Sequence, residues 1–256
     1  MQPENSYYYF QKAFSPDDCK KIIEQGEFEI EQYKKEGRDT SGTTFGNTHK
    51  QEGLNKPLST ETLEEKSKNE GKSVEEVAGS TYIRDSEVSW LYDNWLYDLI
   101  LPFVHEANRR AGWDFELTNH ENFQFTKYYK GGFYNWHADG GSCNNSKFKK
   151  FIPGISPLDP KTGNMYQNYT YNMNWVGKIR KLSCTINLNE PGEYEGGNLE
   201  FDFGPHAERE RFYECTEIRP QGSIVIFPSF VYHRVTPITK GIRKSLVLWS
   251  LGRPFK

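Results

Sequence analysis

The chain has 256 residues, a formal net charge of −3 and an aromatic content of 15%. This length suits one large domain or two small ones, and the aromatic supply is sufficient for a core built on Phe, Tyr and Trp. The slight negative charge argues against electrostatic binding to nucleic acid, and the sequence has no run of about 18 apolar residues that would predict a membrane span.

The N-terminus and the cysteines favour a cytoplasmic protein. The opening residues, MQPENSYYYFQKAF, lack the basic start and apolar run of a signal peptide. None of the four cysteines has the CxxC spacing of a metal or redox motif, so we interpret them as free thiols in a reducing compartment. They are Cys19, Cys143, Cys184 and Cys215.

A helix is predicted to begin within the sequence FSPDDCKKIIEQG. Ser15 suits the N-cap and Pro16 the first helical position, and Asp17 with the aspartate after it suits the positive end of the helix dipole. Gly26 is a possible end of this helix, although the polar pattern allows the helix to continue to about Glu36.

Two further segments complete the N-terminal half. Residues 37–80 are rich in Gly, Ser, Thr, Lys and Glu, which predicts a polar surface excursion with one or two short helices. The sequence VSWLYDNWLYDLILPFVHEANRRAG, which begins at Val88, has apolar residues at helical spacing. It predicts a helix, or a helix pair broken before Pro102, that ends at Gly112.

Short strands are predicted from about residue 121 onward, in NFQFTKYY, KLSCTINLN, GNLEFDFG, GSIVIFPSF, YHRVTPI and KSLVLWSLG. Gly, Pro and Asn separate them, which is typical of an antiparallel sandwich or barrel. Residues 142–178 interrupt the strands with a long loop that carries five lysines, one aspartate and six large aromatic residues. Because long loops of this kind are often functional, we expect this loop to have a functional role.

The sequence FYNWHADGG places His137 and Asp139 two residues apart, on the same face of a strand. A second histidine would complete the two-histidine, one-carboxylate ligand set of non-haem iron oxygenases. His233 is the best candidate, because it follows the buried-strand pattern GSIVIFPSFVY and would point into the mouth of a barrel. The other histidines lie in or near the helical half or in a charged turn; they are His49, His105, His120 and His206.

An arginine, Arg243, follows His233 by ten residues. It lies beyond the turn TPITKG, so a hairpin would return it toward the same pocket. Arginine binds carboxylates in a bidentate manner, which near an open iron site suggests a dicarboxylic co-substrate. Ser245 shares the strand face of Arg243, and Tyr128, which precedes a glycine-containing turn, can reach the pocket as a donor.

Together these stretches resemble the iron(II)- and 2-oxoglutarate-dependent dioxygenases of the prolyl 4-hydroxylase-like group, close to the bacterial and phage PKHD-type hydroxylases. The matching sequences are YYKGGFYNWHADGG, RKLSCTINLNEPGEYEGGNLEF and GSIVIFPSFVYHRVTPITKGIRKSLVLW. The resemblance implies a mainly β, double-stranded β-helix (jelly-roll) core with N-terminal α-helices packed on one sheet. It implies a single domain over residues 1–256, in which residues 1–120 are helical support and residues 121–256 are the catalytic core.

The resemblance also implies roles for the site residues. Iron(II) would bind His137, Asp139 and His233, while Arg243 would bind the distal carboxylate of 2-oxoglutarate and Tyr128 would contact this co-substrate. O2 would be the second co-substrate, ascorbate would support turnover, and the setting would be the cytoplasm of a bacterium or a phage-infected cell. The 142–178 loop departs from the shorter connection of the family, at the place where relatives carry a substrate-covering loop.

Several residues keep two interpretations. Asn187 joins Arg243, Tyr128 and Ser245 as a candidate for co-substrate binding, but plain strand packing is equally open for Asn187 and for Thr185. For the two tryptophans near the pocket, Trp136 and Trp249, core packing is favoured over a role in the pocket wall. The glycine pair in EYEGGNLEF predicts a tight turn without a direct catalytic role.

The expected activity is hydroxylation of an unactivated C–H bond, preferably on a prolyl residue of a protein or peptide, with succinate and carbon dioxide as co-products. The basic, aromatic loop suits an extended proline-containing peptide. Hydroxylation of a free amino acid or another small molecule is the alternative. Net charge disfavours nucleic-acid demethylation, the retained ligands disfavour a metal-free binding module, and zinc hydrolysis gives Arg243 no role.

Overall fold

The computed structural model describes residues 5–42, 44–45, 68, 82–140, 177–205 and 210–255. The N-terminal elements are β1 (Tyr8–Phe10), α1 (Pro16–Lys35), β2 (Thr44–Phe45), β3 (Tyr82–Asp85), β4 (Glu87–Leu91), α2 (Asn94–Arg110) and β5 (Asn119–His120). The remaining strands are β6 (Phe123–Tyr128), β7 (Phe133–His137), β8 (Ile179–Asn187), β9 (Tyr194–Gly196), β10 (Leu199–Asp202), β11 (Phe212–Glu214), β12 (Ile224–Pro228), β13 (Tyr232–Val235), β14 (Ile238–Gly241) and β15 (Arg243–Gly252). A short 3-10 helix at Thr216–Ile218 precedes β12.

Two antiparallel sheets form the core. The first sheet has the order β1-β12-β8-β15-β6-β4, with β5 beside β15, and the second has the order β11-β10-β13-β7-β3-β2. Strands β14 and β9 form a separate two-stranded antiparallel sheet. All six strands predicted after residue 121 are present, and the mainly β, jelly-roll prediction is confirmed.

The helices cover the outer face of the first sheet, as predicted. Phe123 and Phe125 of β6 are fully buried in one apolar cluster with Ile22 of α1 and Leu96 of α2. Gln124, between the two phenylalanines, instead lines a cavity between the two sheets. The alternation of apolar and polar residues along β6 therefore separates a packing face from a site-forming face.

Helix α1 begins as predicted and passes through Gly26 to Lys35. The Ser15 hydroxyl accepts a hydrogen bond from the Asp18 backbone amide, and the Ser15 amide donates to the Asp18 carboxylate, which completes a capping box. Gly26 does not end the helix. It allows the helix backbone to lie close to Phe125, since an added Cβ would be 2.2 Å from Cγ of that residue. The glycine lets α1 pack directly on β6.

The prediction of a helix or helix pair from Val88 to Gly112 is wrong in its first part. Residues 87–91 form β4, which pairs with β6, and α2 begins only at Asn94. A short apolar run is compatible with helical or strand periodicity, and here the pairing with β6 makes the segment a strand. Pro102 does not break α2: burial of Leu96 and Ile100 before it and Val104 after it, about 1.5–3 kcal/mol each, offsets a proline cost of about 3 kcal/mol.

Several predictions fall on residues outside the described ranges. The polar excursion is described only at 37–42, 44–45 and residue 68, and the 142–178 loop only at residues 177–178. Cys143, His49 and His206 also lie outside these ranges, while Cys19, Cys184 and Cys215 are buried free thiols. Within the described residues, neither helix is long and apolar enough to cross a membrane.

Candidate metal and 2-oxo acid site

Strand pairing brings the two predicted histidine ligands together. In the second sheet, His233 of β13 lies directly opposite His137 of β7, and their ring centroids are 4.2 Å apart. Along β13, His233 and Val235 are buried whereas Tyr232 and Arg234 point outward. Because side chains alternate across a strand, both imidazoles point into the space between the sheets.

Asp139 follows β7 in a turn and completes the cluster. Its side chain is buried at 4% exposure, and Oδ1 and Oδ2 lie 3.6 Å from Nε2 of His137 and Nε2 of His233, respectively. One ligand atom from each of the three residues lies within 4.8 Å of the other two. These separations exceed hydrogen-bond lengths, and they suit three ligands that share one ion.

Backbone carbonyls set the tautomer of both imidazoles. Nδ1 of His137 donates to the Asn135 carbonyl at 2.7 Å, and Nδ1 of His233 donates to the Val231 carbonyl at 3.0 Å. Since a carbonyl oxygen only accepts, each Nδ1 carries a proton, which leaves Nε2 as the ring nitrogen that can face a metal ion. Nε2 of His137 is buried and has no hydrogen-bond partner among the described residues.

The charges also suit a metal ligand set. Burial, with the neighbouring His233, lowers the pKa of His137 to about 3, so this imidazole is neutral near pH 7. Burial alone would raise the pKa of Asp139, but His233, His137 and Arg180 outweigh it and lower this pKa, so the carboxylate stays ionised. Two imidazole nitrogens and one carboxylate, with the imidazoles oriented by outer hydrogen bonds, fit a divalent iron site.

Tyr134 packs against the cluster from within β7. Its ring stacks on His137 with a centroid distance of 3.4 Å and an interplanar angle of 11°. Burial and the charge of Asp139 raise the pKa of Tyr134, so its phenol remains protonated at neutral pH. The stacked ring restricts rotation of the His137 imidazole.

The predicted carboxylate-binding residues meet at the other end of the same cavity. Arg243 lies directly opposite Tyr128 in the β15–β6 pairing, and its guanidinium is 5.5 Å from the Tyr128 ring centroid. Nη1 of Arg243 donates to the Ser245 hydroxyl at 3.1 Å. Arg243 is only 2% exposed, and within the described ranges its Nε has no hydrogen-bond partner and no carboxylate pairs with it. A buried guanidinium without a counter-ion is suited to an anionic ligand.

One cavity, partly open to solvent, joins the two ends. The three cluster residues line it together with Tyr128, Arg243 and Ser245; Thr185 and Trp249 also contribute. Trp249 is thus both buried and part of the pocket wall, whereas core packing had been favoured.

Asn187 is not brought to the cavity, although the sequence pattern made it a candidate. Its Nδ2 donates to the backbone carbonyls of Asn189 and Arg219, at 3.2 and 2.8 Å. Its Oδ1 accepts from the hydroxyl of Tyr194 at 3.5 Å. The side chain is therefore engaged in holding the connection after β8, while Thr185, two residues earlier, lines the cavity.

Arg84 lines the cavity and was missed by the sequence interpretation. It lies on β3 of the second sheet, and its Nη2 donates to Gln124 Oε1 at 2.8 Å and to Thr126 Oγ1 at 3.3 Å, across to the first sheet. Its Nε donates to Ser86 at 2.8 Å. The only sequence signal was an arginine in the short stretch YIRDS, which has no motif spacing.

Other singled-out residues lie away from the cavity. Trp136 points to the outer face of the second sheet, where it contacts Phe212 at 5.6 Å and Arg234 at 4.7 Å. His105 and His120 face each other at 6.0 Å, and His120 is bonded to Ser250. Neither histidine lines the cavity.

Comparison with known proteins gives a family match over the same strands. The family described as the 2OG-Fe(II) oxygenase superfamily matches residues 123–251, about half of the chain. A PKHD-type hydroxylase of Xylella fastidiosa strain M12 is 32% identical over 113 residues, which cover 37% of this chain. The match spans 45% of that relative, so this chain covers less than half the length of the curated protein it matches.

Two solved structures share the fold. The viral collagen prolyl hydroxylase of Paramecium Bursaria Chlorella virus-1, in its 2OG complex, aligns over 98% of this chain and 99% of its own, with TM-score 0.53 and 16% identity. A Trichoplax adhaerens prolyl hydroxylase, bound to a peptide of hypoxia inducible factor, aligns over 96% and 84%, with TM-score 0.53 and 13% identity. At these identities the likeness extends to the fold alone.

Proposed function

Because the chain belongs to the 2OG-Fe(II) oxygenase superfamily, we propose that it is an iron(II)- and 2-oxoglutarate-dependent dioxygenase that hydroxylates an unactivated C–H bond. One observation carries this proposal: a largely buried two-histidine, one-carboxylate cluster lines the same cavity as a buried arginine that has no counter-ion among the described residues. A metal-free binding module gives the cluster no role, and a zinc hydrolase gives Arg243 no role.

His137, Asp139 and His233 would hold the iron through Nε2, a carboxylate oxygen and Nε2. Bound iron(II) supplies the activation of O2 and the oxidative decarboxylation of 2-oxoglutarate to succinate and carbon dioxide. The protein contributes the orientation of its ligands: the Asn135 and Val231 carbonyls hold the two imidazoles in the tautomer that ligation requires.

Arg243 is proposed to bind the distal carboxylate of 2-oxoglutarate. Its guanidinium is planar and matches a carboxylate, its Nε has no partner among the described residues, and the low exposure of the site strengthens the attraction. Ser245 and Tyr128 lie beside it and would complete the polar contacts. Trp249 and Phe227 line the same cavity and would exclude water from the reacting groups.

The proposed substrate is a prolyl residue in a protein or peptide. Both aligned solved structures are prolyl hydroxylases by name, and one of them was solved with a peptide. The matched Xylella relative is named a hydroxylase without a stated substrate. A free amino acid or other small molecule is the second candidate, because the three-residue cluster and Arg243 specify the reaction and not its substrate. Ascorbate support and a cytoplasmic location stay predictions.

The proposed function is tested by turnover with defined substrates. Purified protein is incubated with iron(II), 2-oxoglutarate and O2, and with either a set of proline-containing peptides or free proline. We expect succinate to form and one oxygen atom to be added to a prolyl residue of a peptide, as read by mass spectrometry. Oxygen addition to free proline alone would favour the small-molecule alternative, and no succinate with any substrate would contradict the dioxygenase assignment.

A further inference from the structure

The turn between β9 and β10, Gly196–Gly197, packs against Arg243. Gly197 has a φ of +60°, and an added Cβ would lie 3.0 Å from Cδ of Arg243 and 2.3 Å from Cδ1 of Ile238. Both separations are tighter than ordinary carbon contacts. The arginine stem therefore passes the turn at a point where a side chain on residue 197 would collide with it.

Neighbouring residues hold this turn in place. The Gly197 amide donates to the Pro237 carbonyl at 3.1 Å, and Nη2 of Arg219 donates to the Gly196 carbonyl at 2.9 Å. The next amide, of Asn198, donates to the Thr236 hydroxyl at 2.8 Å. With the backbone fixed on both sides, a group added to residue 197 would displace the side chains of Arg243 and Ile238 rather than the turn.

Hydrogen bonds do little to position Arg243 itself. Within the described part of the chain its guanidinium donates only to Ser245, and its Nε is buried without a partner. A residue that keeps donors free for a ligand must be positioned by packing against its stem. Gly197 lies at that stem, whereas Tyr128 lies near the guanidinium.

We propose that Gly197 is a positioning residue for the co-substrate: by leaving space at the turn, it places the Arg243 guanidinium where it binds the distal carboxylate of 2-oxoglutarate. This inference rests on the proposed function, in which Arg243 is the carboxylate-binding residue. It gives the glycine pair of EYEGGNLEF a role beyond that of a turn.

The test compares Gly197→Ala with Gly192→Ala. Gly192 also has a positive φ, +90°, but no atom lies within 4 Å of its added Cβ, so the control shares the backbone cost without the contact. 2-Oxoglutarate is titrated into iron(II)-loaded protein without O2, by calorimetry. We expect Gly197→Ala to raise the Kd about tenfold, because carboxylate binding depends on the orientation of the guanidinium. Gly192→Ala should match the wild type.

Two readouts separate positioning from general damage. The Kd for iron(II) should be unchanged in Gly197→Ala, and in turnover the KM for 2-oxoglutarate should rise while kcat at saturation is retained. Equal losses in iron and 2-oxoglutarate affinity would overturn the inference, since misplacement of Arg243 does not touch the metal cluster.

Ile238→Val, which removes Cδ1, separates the two contacts and keeps the test available if Gly197→Ala folds poorly. In the double variant Gly197→Ala/Ile238→Val, the close contact of the added Cβ with Ile238 is gone and the contact with Arg243 remains. We expect the raised Kd for 2-oxoglutarate to persist; a return to the wild-type Kd would overturn the inference.

Arg243→Ala, measured in parallel, distinguishes a wrong co-substrate site from a wrong positioning role for Gly197. If it leaves 2-oxoglutarate binding unchanged, the proposed co-substrate site is wrong and the inference falls with it. If it weakens binding strongly while Gly197→Ala binds like the wild type, only the positioning role of Gly197 is wrong.

Discussion

The two ends of the cavity are positioned by different means. At the metal end, in the second sheet, hydrogen bonds from His137 and His233 to backbone carbonyls set both imidazoles. At the arginine end, in the first sheet, Arg243 makes one hydrogen bond within the described part of the chain, to Ser245, and its stem packs against Gly197. The metal end is thus arranged before any ligand arrives, whereas the arginine end keeps unpaired donors for one. Substitutions should therefore act on one end without disturbing the other.

The largest effect is expected at the metal end. Asp139→Ala removes the only anionic ligand of the cluster, and we expect 2-oxoglutarate turnover to be abolished while the fold is retained. Turnover is followed by succinate formation and folding by circular dichroism. Asp202→Ala is the matched control, because this aspartate lies in the same sheet but pairs with Arg211 on the outer face. Unchanged turnover in Asp139→Ala would refute the assignment of the three ligands.

Arg243→Ala should act on the other end alone. Truncating a buried charged partner costs about 2–5 kcal/mol of binding, so we expect the KM for 2-oxoglutarate to rise at least about thirtyfold. The iron requirement should stay the same, since Arg243 is not part of the metal cluster. Arg234→Ala controls for loss of an arginine, because Arg234 pairs with Glu200 on the outer face. Parallel changes in both requirements would argue against separate ends.

Ser245→Ala is expected to have a smaller effect at the same end. It removes the hydroxyl that accepts from Nη1 of Arg243, and a bond of this kind is worth about 0.5–1.5 kcal/mol. The Kd for 2-oxoglutarate should rise a few-fold, measured by anaerobic calorimetry. Ser250→Ala on the same strand is the control, since Ser250 is bonded to His120 and does not line the cavity. A loss as large as that of Arg243→Ala would mean that Ser245 itself is the main carboxylate contact.

The smallest effect on either end is expected from Phe125→Ala, although it should cost the most stability. Phe125 is fully buried beneath Gly26 on the helix-covered face of the first sheet. We expect a loss of about 3–5 kcal/mol in the free energy of unfolding, measured by urea denaturation. The affinities for iron and 2-oxoglutarate in the remaining folded protein should be unchanged. A loss of affinity for iron or for 2-oxoglutarate alone would show that the helix-covered face of the first sheet is coupled to one end of the cavity.

Local signals in the sequence account for much of the predicted fold and site. The N-cap at Ser15 and the alternation in the strands after residue 121 depend on neighbouring residues, so sequence spacing reveals them. The spacing of His137 and Asp139 is equally local. The buried-strand pattern before His233 predicts its position and a hairpin predicts that of Arg243, and the strand pairing brings both to the cavity.

The structure differs from the sequence predictions where contacts with distant segments determine the role of a residue. Gly26 had a stop signal, but the approach of β6 makes it an interior contact of α1. Arg84 reaches the cavity only because β3 joins the second sheet beside β7, which no spacing around it indicates. Asn187 has the strand parity of Thr185, yet backbone carbonyls of the following connection engage its amide. Strand alternation predicts a face but not which hydrogen bonds a polar side chain makes.

The most direct test of the account is an anaerobic absorbance titration. Iron(II) and then 2-oxoglutarate are added to metal-free protein, with His233→Ala beside the wild type. The account predicts a visible charge-transfer band that appears only when both are present in the wild type and is absent from the variant. A well-folded wild-type protein that gives no band, or a variant that gives the same band, would contradict the claim that this cavity holds iron and 2-oxoglutarate together.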